Sequence, residues 1–208
     1  MDTSPTSASE SRSAGDAEDR SLEELRTSLG QDYEVVRQLG KGAVATVYLA
    51  RDRALGVLVA IKVLRPGQAS DETTRRRFDR EARAAASLAE HPNVVAVRRF
   101  GRLPDDTPYL VMQYVKGRTM AERLKAEGRL SVAEARQVIR EVASALDVAH
   151  GKGIVHRDPQ PGNVLWDEEN RSALLTDFGI AAVLATSGED VTRLTKTGQL
   201  LGNPRYLS

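Results

Sequence analysis

Lys62 ends the run Val59-Ala60-Ile61-Lys62, and an ammonium in an otherwise apolar, β-branched strand constrains this chain more than any other feature. An unpaired charge is costly to bury, so the strand must either turn Lys62 outward at an edge or bring an anion to it. The next segment offers one. Residues 73–89 predict a helix on which Phe78, Ala82, Ala85 and Leu88 form an apolar stripe, and Glu81 falls on that stripe. A carboxylate on a buried face needs a cation, so the pattern predicts a strand and a helix joined by a Lys62–Glu81 pair.

The residues around this unit alternate with a period of two. Residues 33–39 and 45–50 are β-branched and aromatic runs joined by Gly40-Lys41-Gly42-Ala43-Val44, which reads as a hairpin. Glycines at such a turn let backbone N–H groups approach phosphate oxygens that a side chain would hold off. After His91-Pro92-Asn93, residues 94–100 and 108–114 read as two more strands with Pro104-Asp105-Asp106 turning between them, completing a five-stranded antiparallel sheet. The pattern then becomes helical. A short helix over 119–126 precedes a long one that opens on a Ser131/Glu134 capping box, keeps Ala135, Val138, Ile139, Val142, Ala145, Leu146 and Ala149 in register, and stops at Gly151 and Gly153. Residues 164–166 and 173–176 read as a small hairpin ahead of Asp177.

Two stretches carry chemistry: His156-Arg157-Asp158-Pro159-Gln160-Pro161-Gly162-Asn163, and Asp177-Phe178-Gly179. Asp158, Asn163 and Asp177 offer one carboxylate for an acceptor hydroxyl and two oxygen ligands for magnesium, the parts of a phosphoryl-transfer centre. His-Arg-Asp alone recurs by chance, but with Asn five residues after the Asp and Asp-Phe-Gly following, the signal is specific.

At these residues, and at Val59-Ala60-Ile61-Lys62, the sequence from Tyr33 to Ser208 resembles the protein kinases, specifically the bacterial serine/threonine kinases of eukaryotic type. The resemblance implies an α+β, two-lobe fold: a small lobe over 33–115 with the five-stranded sheet and one helix, and a mainly helical large lobe over 116–208. In the family the stretch like 202–208 leads into an Ala-Pro-Glu motif and further helices that this sequence does not contain, so the large lobe is expected to be incomplete. The implied activity is transfer of the γ-phosphate of ATP, with Mg2+, to Ser/Thr hydroxyls of proteins, including copies of itself through self-association.

The resemblance also assigns roles. Asp158 orients or deprotonates the acceptor hydroxyl, Asn163 and Asp177 ligate magnesium, and Lys62, paired with Glu81, holds the α- and β-phosphates. ATP is implied to lie beneath the hairpin residues Leu39, Gly40, Lys41, Gly42, Ala43, Val44, Ala45, Thr46 and Val47. Ala60 and Lys62 back it, Met112, Gln113, Tyr114 and Val115 form the adenine hinge, and Leu165 lies under the base. His156 reads as a packing residue beneath Asp177. Arg157 resembles the basic residue that receives a phosphorylated activation segment, and Thr195 and Thr197 stand where related kinases carry paired phosphothreonines. Three positions depart from the pattern: Ala45 replaces the third loop glycine, Gln160 a lysine and Asn203 a threonine. Those departures keep a second reading open, a non-catalytic nucleotide-binding or interaction module. A small-molecule phosphotransferase of related fold is a third, against which the Lys62 strand and the Thr-rich segment argue.

Composition fits this frame. The formal net charge of +1 gives no reason to expect a nucleic-acid partner, and the absence of Cys excludes disulfides and thiolate metal sites. No apolar run approaches the roughly 20 residues of a membrane span, so a cytoplasmic location is expected. Residues 1–20 are too polar to offset ordering entropy and are read as a disordered tail. Residues 21–32, with Leu22, Leu25 and Leu29 at helical spacing behind Ser21 and Glu24, predict a short helical lead-in packed on the domain.

Overall fold

The computed structural model of the chain describes residues 22–65 and 72–178. A helix, α1 (22–29), leads into β1 (Tyr33–Lys41), β2 (Ala45–Asp52) and β3 (Leu58–Leu64). Then come α2 (Glu72–Ser87), β4 (Val97–Arg102) and β5 (Pro108–Gln113). The five strands form one antiparallel sheet in the order β1-β2-β3-β5-β4, as the sequence predicts. The second half contains β6 (Gly117–Thr119), α3 (Met120–Glu127), α4 (Val132–Gly151), a single 3-10 turn (Pro161–Asn163), β7 (Val164–Asp167) and β8 (Ser172–Leu175).

The large sheet is apolar on both faces because alternate residues feed different cores. In β3, Val59, Ile61 and Val63 pack with Tyr48, Tyr109 and Val111 on the outer face, where Leu25 and Leu29 of α1 close the cluster. Ala60 and Leu64 point to the inner face, where Phe78 and Ala82 of α2 pack with Leu110 and Met112. Lys62 lies between those two on the same strand and is 5% exposed. The predicted lead-in helix is therefore a layer of the fold. Arg26 Nε on α1 donates to the Val35 carbonyl of β1 (3.2 Å), and Arg53 Nε donates to the Gly30 carbonyl (2.9 Å).

Charged side chains of α2 fasten it to its neighbours. Arg75 bridges Glu72 (2.7 Å) and Asp106 (3.2 Å), and Asp79 receives Arg102 of β4 (3.1 Å), so α2 is tied to the β4–β5 turn by ion pairs.

In the second half, Ala145 and Ala149 of α4 are fully buried against β8, and the small side chains let helix and strand approach closely. The predicted capping box of this region is made, and a second one that the sequence reading did not include accompanies it. Ser131 and Glu134 cap α4 reciprocally, and Thr119 and Glu122 cap α3 in the same way. Helix α4 runs through Gly151 and ends at Lys152, with Gly153 at φ +71° completing the stop, so one glycine rather than two terminates it.

Two further differences from the sequence reading have local causes. The expected hairpin is a three-stranded sheet, β6-β7-β8, because Gly117–Thr119 adds to β7. A Cβ on Gly117 would collide with the Trp166 carbonyl, so only glycine permits that approach. The strand expected from residue 94 begins at Val97, because Val94 forms a parallel bridge with Leu175 instead. Ser21, expected to cap α1, lies outside the described residues.

Leu25 is 3% exposed in the outer core, so Leu25→Ala should lower the unfolding free energy by about 2–4 kcal/mol. Urea denaturation checks this, and a change below about 0.5 kcal/mol would show that α1 does not dock.

Candidate active site

The site forms where the inner face of the sheet meets the end of β8. Asn93 prepares that junction: its side-chain amide donates to the Ala173 carbonyl (2.9 Å) and its carbonyl accepts the Leu175 N–H (2.8 Å). Val95 N–H donates to the Leu175 carbonyl (3.0 Å), continuing the same ladder. Strand β8 is thus pinned to the segment leading into β4, and its alternation sends Leu174 to the small-lobe core and Leu175 to the large-lobe core.

Two residues past β8, Asp177 takes the left-handed conformation (φ +59°), which turns its carboxylate back toward β3. Lys62 Nζ donates to Asp177 Oδ1 at 2.9 Å, across 115 residues of sequence. Burial pushes the Asp177 carboxyl upward, but the charge of Lys62 and its hydrogen bond outweigh this, with a smaller contribution from His156, and hold it below the usual carboxylate range. The anion that the strand requires is therefore supplied by Asp177. The side chain of Glu81, the partner expected from α2, lies outside the described residues, although α2 carries the residue.

His156 is 1% exposed and supports Asp177 from below. Nε2 donates to the Thr176 carbonyl (2.9 Å) and Nδ1 accepts the Asp158 N–H (3.3 Å), which together require the neutral ring. Its face packs against the Phe178 ring, centroids 4.9 Å apart and tilted by 59°. Burial lowers the imidazole pKa, although the Thr176 carbonyl and the two aspartates oppose this. A packing role, as the sequence predicts, agrees with all three contacts.

Arg157 also adopts a left-handed backbone (φ +63°), uncommon for a long side chain, and so forces the chain to turn between His156 and Asp158. Asp158 Oδ2 then receives two amides, Gln160 Nε2 at 2.7 Å and Asn163 Nδ2 at 3.0 Å. Asn163 Nδ2 also donates to the Asp158 carbonyl (2.9 Å), and the Asn163 carbonyl accepts the Thr176 N–H (2.9 Å), which ties the Asp158 loop to the Asp177 turn.

Above the site, β1 and β2 meet at a tight hairpin in which Gly42 N–H donates to the Ala45 carbonyl (2.9 Å). A Cβ on Gly40 would meet nothing within 4 Å, so its backbone is open to an incoming group. Leu39, Gly40, Lys41, Gly42 and Ala43 are exposed, whereas Ala45 and Thr46 are buried. The Ala45 methyl packs in the inner core, so the departure from glycine adds packing in β2 rather than stiffness at the loop tip. Val44 and Val47 lie against the same cluster as Ala60, Met112, Val115 and Leu165, bringing the expected adenine-contacting side chains together. Gln113 N–H is engaged by the Ala96 carbonyl (2.8 Å), and Tyr114 is half-buried beyond the end of β5.

Sequence reasoning missed Asn93, Thr176 and Leu174, which place the site without chemistry of their own. The Asn of His91-Pro92-Asn93 was the available signal. Gly179, Thr195, Thr197 and Asn203 lie outside the described residues.

The protein kinase domain model matches residues 33–208, the span that carries every one of these features. The chain belongs to the protein kinase domain family. Among curated kinases it is 43% identical over 176 residues to the serine/threonine-protein kinase PrkC of Bacillus subtilis, a match covering 85% of this chain and 26% of PrkC. It is 40% identical over 183 residues to the serine/threonine-protein kinase PknB of Mycobacterium tuberculosis, covering 86% of this chain and 28% of PknB. The chain thus spans about a quarter of the length of these curated relatives. The crystal structure of the Mycobacterium tuberculosis PknI kinase domain superposes with a TM-score of 0.63 at 39% identity, covering 72% of this chain and 60% of that one. The two-lobe kinase fold follows, with a five-stranded antiparallel sheet and a helix in the small lobe and a helical portion of the large lobe.

The neutral His156 couples this kinase fold to pH. The unfolded chain binds a proton at its imidazole near pH 6.5, whereas the folded chain resists it. The stability contributed is complete above about pH 7 and is lost as pH falls from the unfolded value through the depressed folded one. The Asp177 contribution persists until pH falls below about 4, so it does not enter this window. The urea midpoint should therefore drop between pH 7.5 and 5.5, and His156→Gln should be less stable at pH 7.5 yet flatter over that range. An equally steep drop in the variant would remove His156 as the cause.

Proposed function

We propose that this chain is the nucleotide-binding and phosphotransfer part of a bacterial serine/threonine protein kinase, transferring the γ-phosphate of ATP to Ser or Thr hydroxyls of proteins in the cytoplasm. The observation that carries this reading is the convergence of Lys62, Asp177, Asn163 and Asp158 from three separate segments, joined by the 2.9 Å Lys62–Asp177 bond and the amides on Asp158. No observation among the described residues favours the non-catalytic alternative.

ATP fits beneath the β1–β2 hairpin, its adenine against Ala60, Met112, Val115 and Leu165, with the main chain from Gln113 to Val115 facing its edge. Lys62 meets the α- and β-phosphates, and Glu81 on α2 is its second carboxylate. The donor set suits Mg2+ rather than an all-protein metal cage. Among the described residues no cluster of three His, Cys, Asp or Glu is present, and magnesium is held by one or two protein oxygens together with substrate phosphates. Asp177 supplies a carboxylate and Asn163 its amide oxygen, since the Asn163 nitrogen already faces Asp158. When bound, the ion neutralises phosphate charge. Asp158 accepts the proton of the acceptor hydroxyl or orients that hydroxyl for in-line attack.

Titration with a fluorescent ATP analogue and measurement of phosphate transfer from labelled ATP test this. Lys62→Ala should weaken nucleotide binding by about tenfold or more, the worth of a hydrogen bond to a charged group. Asp177→Asn should largely remove the magnesium dependence of binding, and Asp158→Asn should lower transfer by about a hundredfold to ten-thousandfold while nucleotide still binds. Equal affinities across these proteins would overturn the reading.

Regulation follows from the same assignment. Phosphate on Thr195 or Thr197, added by the chain itself or by a second copy, would bring about −1.5 to −2 charges per site toward Arg157. Phosphopeptide mapping after incubation with ATP and magnesium should locate the modification there, and Arg157→Ala should remove its activating effect without loss of ATP binding. Activity unchanged by replacing both threonines with Ala would refute it.

A further inference from the structure

Gln160 stands between Pro159 and Pro161 and grips Asp158 twice. Its backbone N–H donates to the Asp158 carbonyl (2.9 Å) and its side-chain Nε2 donates to Oδ2 (2.7 Å), while its own carbonyl accepts the Asn163 N–H (2.9 Å). The prolines restrict the backbone on both sides, so the amide is presented from a stiff three-residue arch. Asn163 Nδ2 reaches the same oxygen at 3.0 Å. Both donors therefore converge on Oδ2, and among the described residues Oδ1 accepts no hydrogen bond.

A carboxylate held at one oxygen by two amide donors has its χ rotation restricted, and its other oxygen is left to accept from a further donor. We propose that Gln160 is a positioning residue that acts through Asp158, locking Oδ2 so that Oδ1 meets the acceptor hydroxyl. This rests on the phosphotransfer reading of Asp158. It differs from the role that the resemblance implies for this position, a charge placed on the transferring phosphoryl group. An amide brings N–H donors without a charge, and one of them is held on Asp158 at 2.7 Å.

A double-mutant cycle on the 208-residue chain separates the two roles. Gln160→Met keeps length and removes the donor. It should lower kcat by about tenfold to a hundredfold, the scale of a misaligned reacting group, with KM for ATP unchanged within about twofold. In an Asp158→Asn background the same substitution should cost less than about twofold more, because the group it positions is gone. Equal losses in both backgrounds, or a raised KM for ATP with kcat retained, would overturn the proposal and assign Gln160 to the phosphates. Gln160→Glu, which presents a second carboxylate to Asp158, should lose at least as much as Gln160→Met, and retention of wild-type kcat would count against the proposal.

A measurement free of turnover guards the result. The side-chain amide NMR signal of Gln160, assigned by its loss in Gln160→Met, should shift in Asp158→Asn. A signal that does not move overturns the proposal even if the chain transfers phosphate. A signal that moves in a chain without transfer sustains the contact and refutes only the phosphotransfer reading.

Discussion

The bond between Lys62 and Asp177 is the constraint around which the rest is arranged. An ammonium with 5% exposure in a core strand is tolerable only if a carboxylate reaches it, and that carboxylate is itself 38% exposed on its cleft side. The pair spans the junction of two cores built from different parts of the chain, so neither half can hold its partner in place alone. A buried ion pair of this kind contributes little net stability, since desolvation offsets most of the attraction. Its effect is specificity: it fixes where the end of β8 sits against β3, and any group that competes for either member can disturb that junction.

What delivers Asp177 is mostly backbone. Asn93, Val95 and the carbonyl of Asn163 take up the hydrogen-bonding groups on either side of the turn, and His156 accepts one backbone N–H and donates to one carbonyl from beneath. Among the described residues four non-glycines occupy the left-handed region, Asp106 and Arg171 in the β4–β5 and β7–β8 turns and Arg157 and Asp177 beside the cleft, at a cost of order 1–3 kcal/mol each that the surrounding contacts must offset. Arg157 precedes Asp158, and Asp177 is itself the carboxylate that meets Lys62. Two of the four thus lie at the cleft, where the buried packing of His156 on Phe178 supports the turn.

Much of this was legible in the sequence because it depends on local periodicity. The alternation in β3 gave Lys62 its face, the capping boxes marked α4, and the glycines marked the β1–β2 hairpin. The reading of α1 as a packed layer rested on three leucines at helical spacing, and two of them are core residues. Less legible was anything decided by long-range pairing. The diversion of Val94 into a bridge with Leu175, the addition of Gly117–Thr119 to β7, and the Lys62–Asp177 bond each join residues far apart in sequence, where periodicity carries no signal. The left-handed turn at Arg157 was likewise invisible, since arginine gives no hint of a positive φ.

The two aspartates of the cleft are stabilised by different means, and the difference bears on what the site can accept. Asp177 is met by an ammonium, so its charge is locally balanced. Asp158 Oδ2 is met by the side-chain amides of Gln160 and Asn163, which supply hydrogen bonds and add no charge. Amides fix the position of a carboxylate while leaving it an anion, whereas a cation at the same point would both fix it and neutralise it. On the phosphotransfer proposal, the amides fix Asp158 without adding charge, and balancing of an incoming polyphosphate falls to Lys62 and to whatever cation the nucleotide brings. Gln160 in place of a lysine then changes how charge is distributed over the cleft while still holding Asp158 Oδ2.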